Sequence, residues 1–115
     1  MIQNLSKSNS AWIFREAVDP EKLQIPDYFS IIIKPMDFGT ITKKLKNHEY
    51  YKIETFLEDI ILVFNNCVRY NGVNSQPGKL CQETHKEFRT LYQQLNIAFY
   101  LSDPDYEQQK LLEMF

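Results

Sequence analysis

The segment of residues 53–71 most constrains the fold, because its apolar side chains recur every three or four positions. Polar residues such as Glu54, Glu58 and Arg69 fall between them. The apolar positions are Ile53, Phe56, Leu57, Ile60, Phe64, Cys67 and Val68. This spacing predicts one long amphipathic helix with a single buried face.

The dipeptide Asn71-Gly72 follows this segment directly and allows two interpretations. Asn-Gly is typical of a β-hairpin turn, but a hairpin needs alternating apolar residues on both sides. Here a helical spacing precedes the dipeptide and a second helical spacing follows it. We therefore expect a helix end, with Gly72 in a left-handed conformation.

A second long helix is predicted to begin at Ser75, a suitable N-cap, and to end around Tyr100. Pro77 fits this start because proline is tolerated in a first helical turn. The apolar stripe consists of Leu80, Cys81, Thr84, Phe88, Leu91, Leu95 and Ala98.

Two shorter helices are also predicted. One begins at Asp37 as N-cap and ends at Asn47 and His48, with apolar residues on one stripe. The other covers residues 103–115, with Pro104 in its first turn.

Residues 17–36 contain many apolar and aromatic side chains but no sustained periodicity. Pro20, Pro26 and Pro35 restrict the backbone, so we expect an ordered loop that lies on a helical bundle. Long ordered loops of this kind are usually functional.

The composition fits one all-α domain over residues 1–115, because only three glycines occur in 115 residues. A net charge of -2 gives no reason to expect direct nucleic-acid binding, and the basic run at residues 43–46 is typical of a solvated helix face. No apolar run is long enough for a membrane span, and no signal peptide is recognisable. We expect an intracellular monomer without a membrane partner.

Cys67 and Cys81 fall inside helical patterns and lack the spacing of a zinc site, so buried free thiols are predicted. His48 and His85 have no neighbouring ligand set and are interpreted as surface or boundary residues. No metal and no cofactor are expected.

An enzyme is disfavoured because the sequence shows no nucleophile with a base and no convergent pair of carboxylates. Asp37 is better explained as a helix cap, and Glu58 and Asp59 as helix-surface residues.

Three motifs stand in a characteristic order: PDYF at residues 26–29, PMDFGTI at 35–41 and NCVRYN at 66–71. With AWIF upstream, the chain resembles the bromodomain family of acetyl-lysine readers over residues 11–100. The resemblance implies a left-handed four-helix bundle, with residues 101–115 as a C-terminal helical extension. It implies a nuclear, chromatin-associated module of transcription regulation whose partners are acetylated histone tails or other acetyl-lysine proteins.

The resemblance also implies the binding residues. Asn71 would donate a hydrogen bond to the acetyl carbonyl, and Tyr28 would hold the same carbonyl through a water molecule. Met36 would close the loop side, and Asn66 would lie at the floor of the pocket. The wall would consist of Phe14, Val18, Leu23, Ile25 and Tyr70, and the shelf at the mouth of Trp12, Ile13 and Phe14.

Such a pocket suits acetyl-lysine, which is neutral, whereas an unmodified lysine would bring a charge to a site without a carboxylate partner. Taken alone, Asn71 before a glycine would be a common helix cap, and the accompanying motifs favour ligand binding instead.

The chain departs from the family pattern in three places. Ile13 replaces a proline in the shelf, and Pro77 occupies the gatekeeper position six residues after Asn71. The first helix has few apolar positions, so we expect a truncated first helix, a non-standard one, or support from residues 103–115. These C-terminal residues would cover core surface that the first helix leaves bare. The alternative function is an interaction module of the same fold that no longer binds acetyl-lysine.

Overall fold

The computed structural model describes residues 1–95 and residue 97, and this part of the chain contains helices and no strand. The elements are α1 (Ile2–Ser6), a 3₁₀ turn (Trp12–Phe14), α2 (Tyr28–Ile31), α3 (Phe38–Lys46), α4 (Ile53–Asn71) and α5 (Gln76–Gln94). The all-α prediction is confirmed. The predicted helix over residues 103–115 and the predicted end near Tyr100 lie outside the described residues. In the described part, no helix combines the length and apolarity needed to cross a bilayer.

The predicted N-caps of α3 and α5 are confirmed. The Asp37 carboxylate accepts hydrogen bonds from the backbone N–H of Thr40 at 2.9 Å and from its hydroxyl at 2.6 Å. Ser75 Oγ accepts from Gly78 N at 3.0 Å, with Pro77 in the first turn as expected. Each cap satisfies an N–H group that has no partner inside its own helix.

Helix α4 ends at Asn71, so the predicted helix end is confirmed. The predicted left-handed conformation of Gly72 is wrong: its φ is positive, at +85°, but its ψ is not that of the left-handed helix. The ψ of 155° lies outside the compact left-handed well, in a region that is essentially restricted to glycine. This extended ψ directs the chain away from α4 towards the start of α5 at Ser75 instead of curling it back.

Four phenylalanines from the 3₁₀ turn, α3, α4 and α5 meet in the core. Phe14 and Phe38 lie 5.7 Å apart between ring centroids, and Phe64 lies 6.2 Å from Phe38 and 5.9 Å from Phe88. The rings are tilted or edge to face, which are the favoured geometries for aromatic pairs. This cluster joins four elements around one interior.

The first helix, α1, has five residues. Its apolar side chains, Ile2 and Leu5, are fully buried, and α1 packs against α3 and α5. Arg15 Nε donates to Ser6 O at 2.6 Å, and Arg15 Nη2 donates to Ser8 O at 3.2 Å. These bonds satisfy carbonyls at the C-terminal end of α1.

The long loop contains local structure that its sequence did not indicate. Asp19 Oδ1 accepts from the backbone N–H groups of Glu21 and Lys22 at 3.2 Å, which closes a turn. Further along, α2 is a single helical turn, and one turn is too short to produce an apolar periodicity.

The interpretation of Asp59 as a helix-surface residue is wrong. Asp59 is 3% exposed, and its Oδ2 accepts from Tyr50 Oη at 2.5 Å and from Lys44 Nζ at 2.6 Å. The ammonium also lies 4.6 Å from the centroid of the Tyr50 ring. Because α3 and the segment before α4 supply these partners, the carboxylate is stable in the interior.

Candidate functional site

The C-terminal end of α4 meets the long loop through two tyrosines. The rings of Tyr28 and Tyr70 lie 5.0 Å apart, edge to face, and Tyr70 Oη donates to Asp27 Oδ1 at 2.6 Å. Tyr28 is buried, and burial raises the pKa of its phenol, with a smaller contribution from Cys67. The Tyr28 hydroxyl therefore stays protonated at neutral pH and can donate a hydrogen bond.

The side chain of Asn71 is exposed but held in place by α4. Its Nδ2 donates to Cys67 O, one turn earlier, at 3.1 Å, and lies 3.8 Å from Cys67 Sγ. The first contact is an ordinary hydrogen bond, and the second is long and weak. The amide is thus oriented while one of its hydrogens has only a weak partner.

Asn66 connects the middle of α4 to the long loop. It is 8% exposed, and its Nδ2 donates to Lys34 O at 2.8 Å. The bond fixes the loop just before Met36, one of the predicted pocket residues.

The segment between α4 and α5 is compact. Ser75 Oγ donates to Gly72 O at 2.7 Å, and Gln82 Nε2 donates to Val73 O at 3.3 Å. A Cβ built on Gly78 would lie 2.1 Å from Gly72 O, so only glycine fits there. The segment that follows Asn71 is therefore held close to the first turn of α5.

The predicted binding residues differ in position and exposure. Asn66, Tyr70 and Asn71 belong to α4, and Tyr28 packs against Tyr70. Phe14 is buried in the aromatic core, whereas Trp12 is 60% and Leu23 57% exposed. The remaining predicted residues, Ile13, Val18, Ile25, Met36 and Pro77, are half-buried.

Two residues at this end of the bundle were not predicted as site residues. Cys67 contacts Asn71, and its place one helical turn before the asparagine was the available signal. Asp27 accepts the hydrogen bond from Tyr70. It stands in the PDYF motif directly before Tyr28, and it is exposed, so water solvates its charge.

Other features of the described residues are structural. No group of three or more His, Cys, Asp or Glu side chains in this part of the chain is arranged to hold a metal ion. An open groove of about 510 Å³, lined by residues that include Lys7, Arg15 and Thr42, shares no residue with the predicted site. Arg15 in this groove already binds the backbone carbonyls of Ser6, at the end of α1, and of Ser8.

Comparison with known proteins agrees with this architecture. The family model described as Bromodomain matches residues 1–83. The chain is 37% identical over 94% of its length to the SWR1 complex bromodomain subunit bdf1 of Schizosaccharomyces pombe, and 36% identical over 90% of its length to the transcription factor GTE10 of Arabidopsis thaliana. It spans only 17% and 10% of these two relatives, respectively. The chain belongs to the bromodomain family, a family of acetyl-lysine reader modules.

Proposed function

We propose that this domain binds N-acetyl-lysine on histone tails or other nuclear proteins, with Asn71 as the hydrogen-bond donor to the acetyl carbonyl. The observation that carries the proposal is the Asn71 amide, which is exposed yet oriented by Cys67 O at 3.1 Å. A ligand carbonyl has to displace only the weak contact at 3.8 Å to Cys67 Sγ. Binding through this nitrogen therefore costs little reorganisation.

Tyr28 is proposed to bind the same carbonyl through a water molecule. Its hydroxyl is protonated at neutral pH because burial raises its pKa, and the Tyr70 ring at 5.0 Å restricts its position. The remaining pocket residues are proposed from the family pattern, with Trp12 and Leu23 as exposed apolar surface at the mouth.

Charge around the loop supports a basic peptide as the partner. Asp19, Glu21 and Asp27 are all exposed on the long loop that carries Tyr28. Carboxylates at this position would attract the lysines and arginines that flank an acetylated residue in a histone tail. Relatives whose names refer to the SWR1 complex and to a transcription factor support a nuclear, chromatin-associated role.

The test is a calorimetric titration with a multiply acetylated histone-tail peptide and with the same peptide unmodified. Only the acetylated peptide should bind, with a Kd between about 1 mM and 1 μM. Asn71→Ala should weaken binding by about 1–3 kcal/mol, roughly fivefold to 150-fold, because the ligand carbonyl loses its donor.

Asn74→Ala is the matched control, since Asn74 is an exposed asparagine three residues further along. It should bind like the wild type. If the folded wild-type domain gives no heat with either peptide, or if Asn71→Ala binds as tightly as Asn74→Ala, the proposal is wrong. The first outcome would favour the interaction module that has lost acetyl-lysine binding.

A further inference from the structure

The two cysteines lie on neighbouring helices, and each sulfur contacts the opposite helix. Cys67 Sγ on α4 lies 3.5 Å from Pro77 O, one turn before Cys81 on α5. Cys81 Sγ lies 3.7 Å from Phe64 O, in the turn of α4 that precedes Cys67. Both sulfurs therefore lie between α4 and α5, within about one helical turn of each other along the helix axes.

The two thiols also shift each other's pKa in opposite directions. Hydrogen bonds from the Cys81 thiol and, more weakly, from the Asn71 amide hold the pKa of Cys67 below its ordinary value, against the opposing effect of burial. The same interaction, and then burial, raise the pKa of Cys81 above its ordinary value. Cys67 is thus the better nucleophile, and Cys81 is its nearest thiol partner.

We propose that Cys67 and Cys81 form a redox modification site, at which a hydroperoxide converts the two thiols into an intramolecular disulfide directly beneath Asn71. Cys67 is 8% and Cys81 3% exposed, and both are free thiols. Cys67 is the more exposed of the two, and its sulfur lies 3.8 Å from Nδ2 of the exposed Asn71, so a small oxidant should reach this sulfur first. A reducing compartment keeps such a pair reduced, and oxidation is transient.

The reaction balances with hydrogen peroxide as the oxidant. The Cys67 thiolate attacks one peroxide oxygen; the S–O bond forms, the O–O bond breaks, and hydroxide leaves with the proton that Cys67 lost, as water. The Cys81 sulfur then attacks the Cys67 sulfur; the S–S bond forms, the S–O bond breaks, and the second hydroxide leaves with the Cys81 proton. Two thiols lose two electrons, and one peroxide becomes two waters.

The disulfide would join α4 to α5 and close a loop that contains the segment after Asn71. It would also turn the thiol sulfur that the Asn71 amide contacts at 3.8 Å into a disulfide sulfur. We expect the oxidised domain to have a higher Tm than the reduced one, because the cross-link restricts the unfolded chain, and dithiothreitol should reverse the change.

The experiment treats the folded domain with hydrogen peroxide and measures intact mass, free thiols after denaturation, and Tm. The wild type should lose about 2 Da and both titratable thiols. Cys81→Ser should instead retain a sulfenic acid on Cys67, about 16 Da heavier and trapped by dimedone. Cys67→Ser should lose its remaining thiol at least about tenfold more slowly than Cys81→Ser.

Circular dichroism verifies that both serine variants are folded, and serine replaces the S–H donor with an O–H donor on the same carbon. The proposal is overturned if the peroxide-treated wild type keeps both thiols, if it gains oxygen without losing the Cys81 thiol, or if it forms only covalent dimers. It is equally overturned if the two serine variants react with peroxide at the same rate. None of these readouts depends on acetyl-lysine binding.

Discussion

Gly78→Ala should destabilise the domain, because the added methyl group meets backbone and not a movable side chain. The new Cβ would lie 2.1 Å from Gly72 O and 2.8 Å from Val73 O, whereas ordinary contact begins at 3.4 Å. Gly72 O would have to move by about 1.3 Å, and overpacking of this kind costs about 1–3 kcal/mol. The urea midpoint should fall with an unchanged m-value.

The displacement should also reduce affinity for an acetylated peptide, since Gly72 directly follows Asn71. Lys79→Ala is the matched control: Lys79 is exposed, lies in the same turn, and receives the same side chain. Its effect on the free energy of unfolding should stay within about 0.5 kcal/mol. Equal urea midpoints for Gly78→Ala and Lys79→Ala would refute the steric argument.

Three further predictions concern stability and use the same urea assay. Asp59→Ala should lower the free energy of unfolding by about 1–3 kcal/mol, because the buried Tyr50 hydroxyl loses its acceptor; an unchanged midpoint would contradict the buried network. Asn66→Ala should cost about 1–3 kcal/mol and speed amide exchange in the long loop, since Lys34 O loses its donor at 2.8 Å; unchanged exchange would show that the loop is held by other contacts. Burial, and then Arg89, lower the pKa of His85 below its ordinary value of 6.5, so the unfolded chain binds the proton more readily. Protonation of this residue therefore does not affect the free energy of unfolding above about pH 6.5, but the free energy of unfolding decreases as the pH falls from there towards the folded-state pKa. His85→Gln should remove that decrease.

The main helices were predictable because their signals are local. The start of α3 at Asp37, the end of α4 at Asn71 and the start of α5 at Ser75 were all predicted from residue type and spacing, and the structure confirms them. Capping depends on atoms within one helical turn, so neighbouring residues are sufficient to predict it. The single turn of α2 was missed because four residues cannot establish a period.

The candidate site was predictable only through its motifs. Asn71 and Tyr28 were singled out because they stand in patterns typical of the family, and their roles remain proposals. The bond from Tyr70 to Asp27, across 43 positions, could not be predicted from either residue's neighbours. Which side chains of a long loop reach a helix depends on the path of the loop, and proline positions restrict that path without defining it.

The sequence by itself determined an all-α chain with two long amphipathic helices and an ordered loop between shorter elements, because periodicity and capping act over a few residues. Only the tertiary structure decided which polar groups are buried. Asp59 lies in the interior because Lys44 and Tyr50 from other elements bind it there. Cys67 and Cys81 are 14 positions apart in the chain. They come close to each other because α4 and α5 pack with one particular offset along their axes. Such pairings depend on how separate helices are positioned relative to each other, which no local pattern encodes.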